Sequence, residues 1–589
     1  MVLQTFDWLI IVSFLLISLA IGMYYFKSSG QSTSEYFLSG RNMPWWLLGV
    51  SMVATTFSAD TPNLVTDIVR KNGVAGNWVW WAFLLTGMLT VFVYARLWRR
   101  SQINTDLEFY EIRYGGKPAA FLRGFRALYL GVFFNVMIMA SVSLAAIKIG
   151  GVMLNLSPIQ TILIASVVTV LYSSLGGLKG VLVTDFLQFI VAMAGSLAAA
   201  YVILRLPQVG GLSGLFDHEI VVNRTPLLPD FSDPSVYVPL LLIPIAVQWW
   251  SVWYPGAEPG GGGYIAQRML SAKNEKHALG ATLFFNVAHY ALRPWPWILI
   301  ALASLLVFPD IASLKEAFPH VADSVLNDDL AYPAMLTFLP AGLLGLVIAS
   351  LISAYMSTIS THLNWGSSYI VNDFYKRFVK PEASDKELVA VGRWSTFILM
   401  ALSGILALFL SNALQAFNIL LQIGAGTGLI FILRWFWWRI NAYTEISGMI
   451  ASFLVAVYFE FVHTSLGFAP LPDHYKLLSG VGITTVIWLT VTLLTQPESE
   501  KTLVQFYQLV RPAGYGWRIL QKNHPQLPVE QGQLPFEILL MLVACFSVYA
   551  FLFATGFWLY GQITYALIAT FSSVLGFGFL LRSWKKIKF

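Results

Sequence analysis

The chain has 589 residues, 57% of them hydrophobic and 11% charged, with a mean hydropathy of +0.67 and a net charge of +6. That composition excludes an ordinary soluble globule and implies an all-α polytopic membrane protein. The positive charge sits in short clusters between apolar runs, without an aromatic-basic recognition module, so it calls for no nucleic-acid partner.

A hydrocarbon core of about 30 Å takes about 20 apolar residues per helix. Runs of that kind predict about fifteen spans, near 6–26, 44–68, 76–98, 125–147, 160–176, 183–204, 236–264, 278–307, 335–372, 391–411, 414–435, 444–462, 478–496, 535–556 and 558–581. The first run, "WLIIVSFLLISLAIGMYYF", lacks a basic flank before it and a small-residue cleavage site after it, so it is expected to be retained as a helix. Lys and Arg in "LWRRSQ", "EIRYGGK", "QRMLSAKNEK", "DFYKRFVK", the 497–534 loop and "RSWKKIKF" fall on one side if the amino terminus is outside and the carboxyl terminus cytoplasmic. The expected membrane is a bacterial inner membrane.

The second span, "GVSMVATTFSADTPNLVTDIV", carries Ser58, Asp60 and Pro62 at mid-depth. Proline breaks the backbone ladder and an intramembrane carboxylate is costly, so an interrupted helix lining a cavity is expected rather than a span ending near Ser58. Lys148, in the outer part of the fourth span, is expected to snorkel. The seventh span, "PIAVQWWSVWYPGAEPGGGGYIAQR", holds two prolines, Glu258 and four glycines in a row. It lacks the strand and the Gly-Lys-Ser/Thr ending of a nucleotide loop, and predicts a second interruption. Two broken helices five spans apart point to a secondary transporter made of two inverted five-helix repeats, with its site at mid-membrane.

The ninth span contains "SAYMSTISTHLNWGSS", with Ser357, Thr358, Ser360 and Thr361 almost in succession. Hydroxyls in lipid need partners. They either ligate a hard monovalent cation beside the free carbonyls of a broken helix, or bond to their own helix and permit close packing. The single cysteine, Cys545, excludes a disulfide framework and reads as a buried apolar residue. Metalloprotease and serine-hydrolase motifs are absent, so no catalysis is expected. An ion channel would be built around a symmetry axis rather than from two unlike halves in one chain.

The stretch "DLAYPAMLTFLPAGLLGLVIASLISAYMSTISTHLNWGSSYIVNDFYKRF" resembles the ninth span of the sodium:solute symporter family, which includes the sodium/glucose transporters. The resemblance rests on Ala331 to Pro333, Gly342 to Leu346, Ser357 with Thr358, Asn364, and Asp373 to Tyr375. "LYSSLGGLKGVLVTDFLQ", "YIAQRMLSAKNEKHA", "LEFYEIRYGG" and "FWWRIN" extend it over roughly residues 5 to 495. It implies a leucine-transporter-type five-plus-five helix core working as a sodium-coupled symporter. The segments would then be 1–43, an amino-terminal helix and loop; 44–204 and 236–435, the two repeats; 444–496, two peripheral helices; 497–534, a cytoplasmic loop; and 535–589, a carboxyl-terminal helix pair.

The resemblance implies a main sodium site from the carbonyls of Ala54, Phe57 and Ala354 and the hydroxyls of Ser357 and Thr358. A second sodium site would use Asp185 with Ser360 and Thr361; Asp185 also reads as a structural or gating carboxylate. Sodium is the one cofactor implied, with no organic cofactor. The solute cavity is expected to involve Asp60, Thr61, Trp249, Trp250, Trp253, Tyr254, Glu258, His289, Arg293 and Gln422. Arg293, in "YALRPWPW", stands where the sugar transporters have a lysine near the substrate. Gly262 and Gly263 replace their polar pair before the Gln-Arg loop, and Asp60 with Thr61 replaces their Gly and His.

The expected solute is therefore a sugar or sugar acid. A proton-coupled symporter using Asp60, Asp185 or Glu258, and a sodium-coupled carboxylate or amino-acid transporter, remain open, as does a monomeric or oligomeric state.

Overall fold

The computed structural model describes residues 3–29, 32–251, 258–319, 321, 326–410, 413–528 and 533–587. Among these residues there is no strand, only one isolated bridge, and eleven helices are long and apolar enough to cross a membrane, beside four shorter apolar ones. In chain order we label α1 (Thr5–Ser29), α2 (Trp45–Thr56), α3 (Thr61–Asn72), α4 (Val74–Ser101), α5 (Gly116–Leu154) and α6 (Pro158–Leu204). These are followed by α7 (Pro234–Ala246), α8 (Gly263–Ser271), α9 (Glu275–Val307), α10 (Leu343–Val379), α11 (Asp385–Ala407) and α12 (Ala413–Phe436). The last four are α13 (Ala442–Glu460), α14 (Asp473–Leu494), α15 (Leu534–Leu559) and α16 (Ile563–Trp584).

Both predicted interruptions are present. The second span is α2 and α3, separated at Phe57 to Asp60, and Pro62 sits in the first turn of α3, where its missing N–H costs nothing. The seventh span is α7 and α8. Between them Gly260 and Gly261 take φ of +88° and +82°, a backbone that side-chain-bearing residues avoid, which accounts for the glycine run.

α6 holds two predicted spans in one helical run. Its first limb shares a cavity with Ile348 and Leu351 through Ile164 and Val168, and Ser173 reaches the carbonyl of Ser360 at 3.4 Å. On the second limb Asp185 meets Ser357, and Gly195 lies against Ser350. Numbering on α10 rises along one limb and falls along the other, so the chain reverses between Ser173 and Asp185.

The ninth span begins later than its hydropathy indicates. Pro340 and Gly342 (φ +84°) set off a short helix, Ala331–Leu336, and α10 starts at Leu343. Its first turn is capped from a distance. The fully buried Asp7 carboxylate of α1 accepts the N–H groups of Gly342 and Gly345 at 2.6 and 2.7 Å, together with that of Gln4 at 2.8 Å. This supplies the orphan donors of a helix start with a charged acceptor.

At the opposite end of the bundle, Met43 and Ala272 form the isolated bridge. Met43 N–H donates to the Ser271 carbonyl, and Lys273 N–H to that of Met43, both at 3.1 Å. The carboxyl-terminal helices are not a loose appendage. α15 meets α4 through the buried Glu537–Arg96 pair (2.5 Å) and the Tyr549 hydroxyl on the Trp81 carbonyl (2.9 Å), and meets α9 through Trp295 on the Leu552 carbonyl (3.2 Å). Cys545 is buried within it, as expected. Glu498 accepts the N–H groups of Gly115 and Ala442 at 2.8 and 3.2 Å, tying the 497–534 segment to the starts of α5 and α13.

Candidate functional site: the helix breaks and the hydroxyl turn of α10

The end of α2 is stripped of helix continuity by the break, so its last carbonyls turn toward neighbours. Thr358 of α10 donates its hydroxyl to the Thr55 carbonyl at 2.7 Å, and the hydroxyls of Thr55 and Thr361 lie 2.9 Å apart. Ala54, Phe57, Ala354, Ser357 and Thr358 are all buried at or beside this contact. The direct carbonyl partner is Thr55, one residue past the expected Ala54.

Ser357 turns the other way along the same helix face. It donates to Asp185 Oδ1 at 2.8 Å, and Ser51 of α2 donates to Oδ2 at 2.5 Å. The hydroxyl turn therefore joins three elements, α2, the second limb of α6 and α10. The expected companions of Asp185 were Ser360 and Thr361, and the structure seats others there. Ser360 back-bonds to the Ser357 carbonyl at 3.1 Å, and Thr361 serves Thr55. One helical turn separates them from Ser357, which carries them past the carboxylate.

Sequence reasoning missed Arg268. Its guanidinium, fully buried on α8, lies 3.8 Å from Asp185 Oδ2 and donates to Ser51 (3.1 Å), Thr361 (2.9 Å) and Gln267 (2.9 Å). A buried charge needs a counter-charge and hydrogen bonds to all its protons, and here the two ends of the pair come from positions 83 residues apart in sequence. The signal is the Gln-Arg pair of "YIAQRMLSAKNEKHA", hidden by its place at the head of a basic run.

The residues expected around the solute separate into groups. Asp60 and Thr61 are half-buried at the first break, with the Ser58 hydroxyl donating to Asp60 and the Ser58 N–H to Thr61 Oγ1 at 3.3 Å. Trp249 accepts from Thr86 through its carbonyl at 2.8 Å, and Trp250 is half-buried beside it. Trp253 and Tyr254 lie outside the described residues. Gln422 falls on α12, with its side chain likewise outside them.

Glu258 is committed elsewhere. It pairs with Arg126 of α5 at 2.5 Å and approaches Arg434 of α12 at 3.9 Å. Lys148, expected to snorkel, instead pairs with Asp329 at 2.9 Å, because the loop before α10 brings a carboxylate within reach.

α9 makes a π-turn at Ala288–Leu292, with the Arg293 N–H on the Ala288 carbonyl at 3.2 Å, just before Pro294 and Pro296 remove further ladder donors. The turn sets His289 among Trp80, Phe285 and Tyr290, at ring separations of 5.7, 5.3 and 4.5 Å. Arg293 lies over Phe57 and Trp297, whose rings stack at 5.1 Å. A small cavity of about 40 Å³ opens here, lined by Thr86, Thr90, Glu258, Tyr264, Asn286 and Tyr290. Of these only Glu258 was foreseen. Gly87 permits the approach of α4 and α9, since a Cβ there would stand 1.8 Å from Asn286 Oδ1.

A family model described as "Sodium:solute symporter family" matches residues 36–452. The chain belongs to the sodium:solute symporter family. As a member of that family it is a membrane symporter rather than an enzyme. This symporter is 27% identical over 458 residues to a sodium/glucose cotransporter of Vibrio parahaemolyticus, covering 75% of this chain and 82% of that one. It is 27% identical over 547 residues to sodium/myo-inositol cotransporter 2 of Oryctolagus cuniculus, covering 84% and 78%. Among solved structures, a Na+-coupled sialic acid symporter in a substrate-bound outward-open state matches with a TM-score of 0.65 at 19% identity, over 84% of this chain and 99% of that one. The symporter thus has the leucine-transporter-type fold expected of it.

Proposed function

We propose that this symporter imports a small polar organic solute, a sugar or sugar acid, coupled to sodium by alternating access. The sodium ion takes its ligands from the end of α2 and from Ala354, Ser357 and Thr358 of α10. The observation that carries this reading is the 2.7 Å contact between the Thr358 hydroxyl and the Thr55 carbonyl at an interrupted helix end, with Ser357 beside it. A hard cation suits that chemistry, because hydroxyl and carbonyl oxygens gathered at a helix break can replace its hydration shell. The sugar and inositol cotransporters named above support the solute class.

An ion that joins α2 to α10 favours the arrangement in which both lie close, and a solute that prefers that arrangement is bound more tightly in return. Two buried carboxylates that a proton-coupled scheme would use, Asp185 and Glu258, stand beside Arg268 and Arg126, which supports sodium over protons. The basic loops support a cytoplasmic carboxyl terminus, an extracellular amino terminus and a bacterial inner membrane. Residues 44–204 and 236–435 are the two inverted repeats on this reading, each beginning with a broken helix.

The test is sodium binding to purified protein by calorimetry, with potassium as control, on the parent and on a Ser357→Ala, Thr358→Ala double variant. Saturable sodium binding that disappears in the double variant is the expected result. Unchanged binding in the variant refutes the site, and absence of sodium binding in the parent refutes sodium coupling.

A further inference from the structure

Among the described residues, buried guanidiniums other than Arg293 stand against a carboxylate or several carbonyl oxygens. Arg70 pairs with Asp328, Arg96 with Glu537, Arg123 with Glu111 and Asp373, and Arg126 with Glu258, while Arg113 donates into the carbonyls of Arg434 and Trp437. Arg293 is 1% exposed, yet among the described residues no carboxylate stands within 4.0 Å of it. Among the described residues its one side-chain hydrogen bond is long, donated by Nη1 to the Val53 carbonyl at 3.4 Å, and its Nε has no partner. The acid that shares its field, Asp60 at the first break, stands beyond salt-bridge distance and takes the Ser58 hydroxyl.

Two more unpartnered polar atoms lie on the same helix within about two turns. Asn286 Oδ1 and His289 Nδ1, on side chains 1% and 2% exposed, have no hydrogen-bond partner among the described residues. Asn286, His289 and Arg293 lie within about two turns of one another on α9, with the π-turn at Ala288–Leu292 between the first and the last. This stretch meets the first break through Arg293 over Phe57, and meets the cavity through Asn286. Leaving a buried guanidinium without an anion costs several kcal/mol, more at membrane depth than elsewhere. An anion that binds there recovers that cost.

We infer that the solute is a carboxylate, a sugar acid rather than a neutral sugar, whose carboxylate is received by Arg293 while its hydroxyls meet Asn286 and His289. A planar guanidinium with Nε and an Nη free offers the fork that a carboxylate takes bidentately. The inference rests on the symport reading and narrows its solute. It also gives the anion a part in coupling. Arg293 holds the Val53 carbonyl in the same last turn of α2 whose Thr55 carbonyl faces α10, so a sodium ion there meets a positive charge that Asp60 offsets only from a distance until the acid arrives. The acid cancels that charge, and sodium and acid each strengthen the other's binding.

The experiment is thermal melting and calorimetry of the full chain in sodium and in choline. The acid probes are D-glucuronate, D-gluconate, N-acetylneuraminate and L-lactate; the neutral ones are D-glucose and myo-inositol. At least one acid stabilises the parent in sodium only, and Arg293→Gln weakens its binding by roughly 30-fold or more, the loss typical when one partner of a buried charge pair is removed. Arg293→Lys, which keeps the charge without the fork, falls between. In Arg293→Gln sodium alone binds more tightly than in the parent, an effect a merely structural arginine would not give and one that also shows the variant is folded. The inference is overturned if no acid binds, if neutral sugars bind in their place, or if acid binding is unchanged in Arg293→Gln. If sodium itself fails to bind the parent, the symport reading falls first and this inference with it.

Discussion

Removing the Glu258 carboxylate isolates the energetics of the second helix break. Both Glu258 and Arg126 have side chains 4% exposed and meet at 2.5 Å. In Glu258→Ala the loss falls on Arg126, because Arg434 keeps Glu445 at 3.7 Å. What then remains to Arg126 is the face of Phe431 at 4.9 Å, that of Tyr110 at 5.5 Å and the Met449 sulfur at 3.5 Å. Ring faces supply about 1–2 kcal/mol each to a desolvated cation, against several kcal/mol for a buried charge left unpaired. The single variant is therefore expected to lose about 3–5 kcal/mol of stability. Replacing both residues by Met removes the charge along with its partner and restores most of the loss that the matching single Met variants show. Unfolding in mixed detergent and SDS micelles on the parent, the two singles and the double measures it. A Glu258→Ala variant as stable as the parent, or a double no better than the worse single, refutes the buried ion pair as an organiser of the break.

Gly87→Ala is expected to push α4 from α9 and cost about 1–3 kcal/mol through overpacking, since the new methyl would stand 1.8 Å from Asn286 Oδ1; adding Asn286→Ser recovers part of it in the same melting assay. Asp7→Ala uncovers the N–H groups of Gly342 and Gly345, lowering stability by about 2 kcal/mol and raising hydrogen exchange at the start of α10 more than at its middle. Thr358→Val keeps the shape of the side chain and removes one oxygen, so sodium affinity is expected to fall roughly tenfold or more, the worth of one contact to a charged group, while stability without sodium falls by about 1–3 kcal/mol as the Thr55 carbonyl loses its donor.

Much of this architecture was legible because its strongest signals are local. Pro62 with Asp60, and the glycine run after Glu258, each break a helix in a way that neighbouring residues alone reveal. The hydroxyl turn of α10 was readable for the same reason. What escaped is what distance in sequence hides. Asp185 and Arg268, or Arg126 and Glu258, are each unremarkable in their own segments, and only the folded chain brings their charges together. Lys148 read as a snorkelling side chain because Asp329 lies 181 residues away. Asn286 and Thr86 gave no signal, since a single polar residue in an apolar helix is as often self-bonded as it is part of a cavity. Gln422, Trp253 and Tyr254 fall on side chains outside the described residues.

The bridge at Met43 and Ala272 constrains how the molecule can open. It fastens the start of α2 to the end of α8 by two backbone hydrogen bonds, and these are the halves of the two interrupted helices that lie at the same end of the bundle. They are therefore one lever rather than two. Any widening at that end swings both together and concentrates the bending at the two breaks, where the backbone is already free of helical hydrogen bonds. A staple between α2 and α8 would ride along with such a stroke, whereas one from α2 to α10 would jam it.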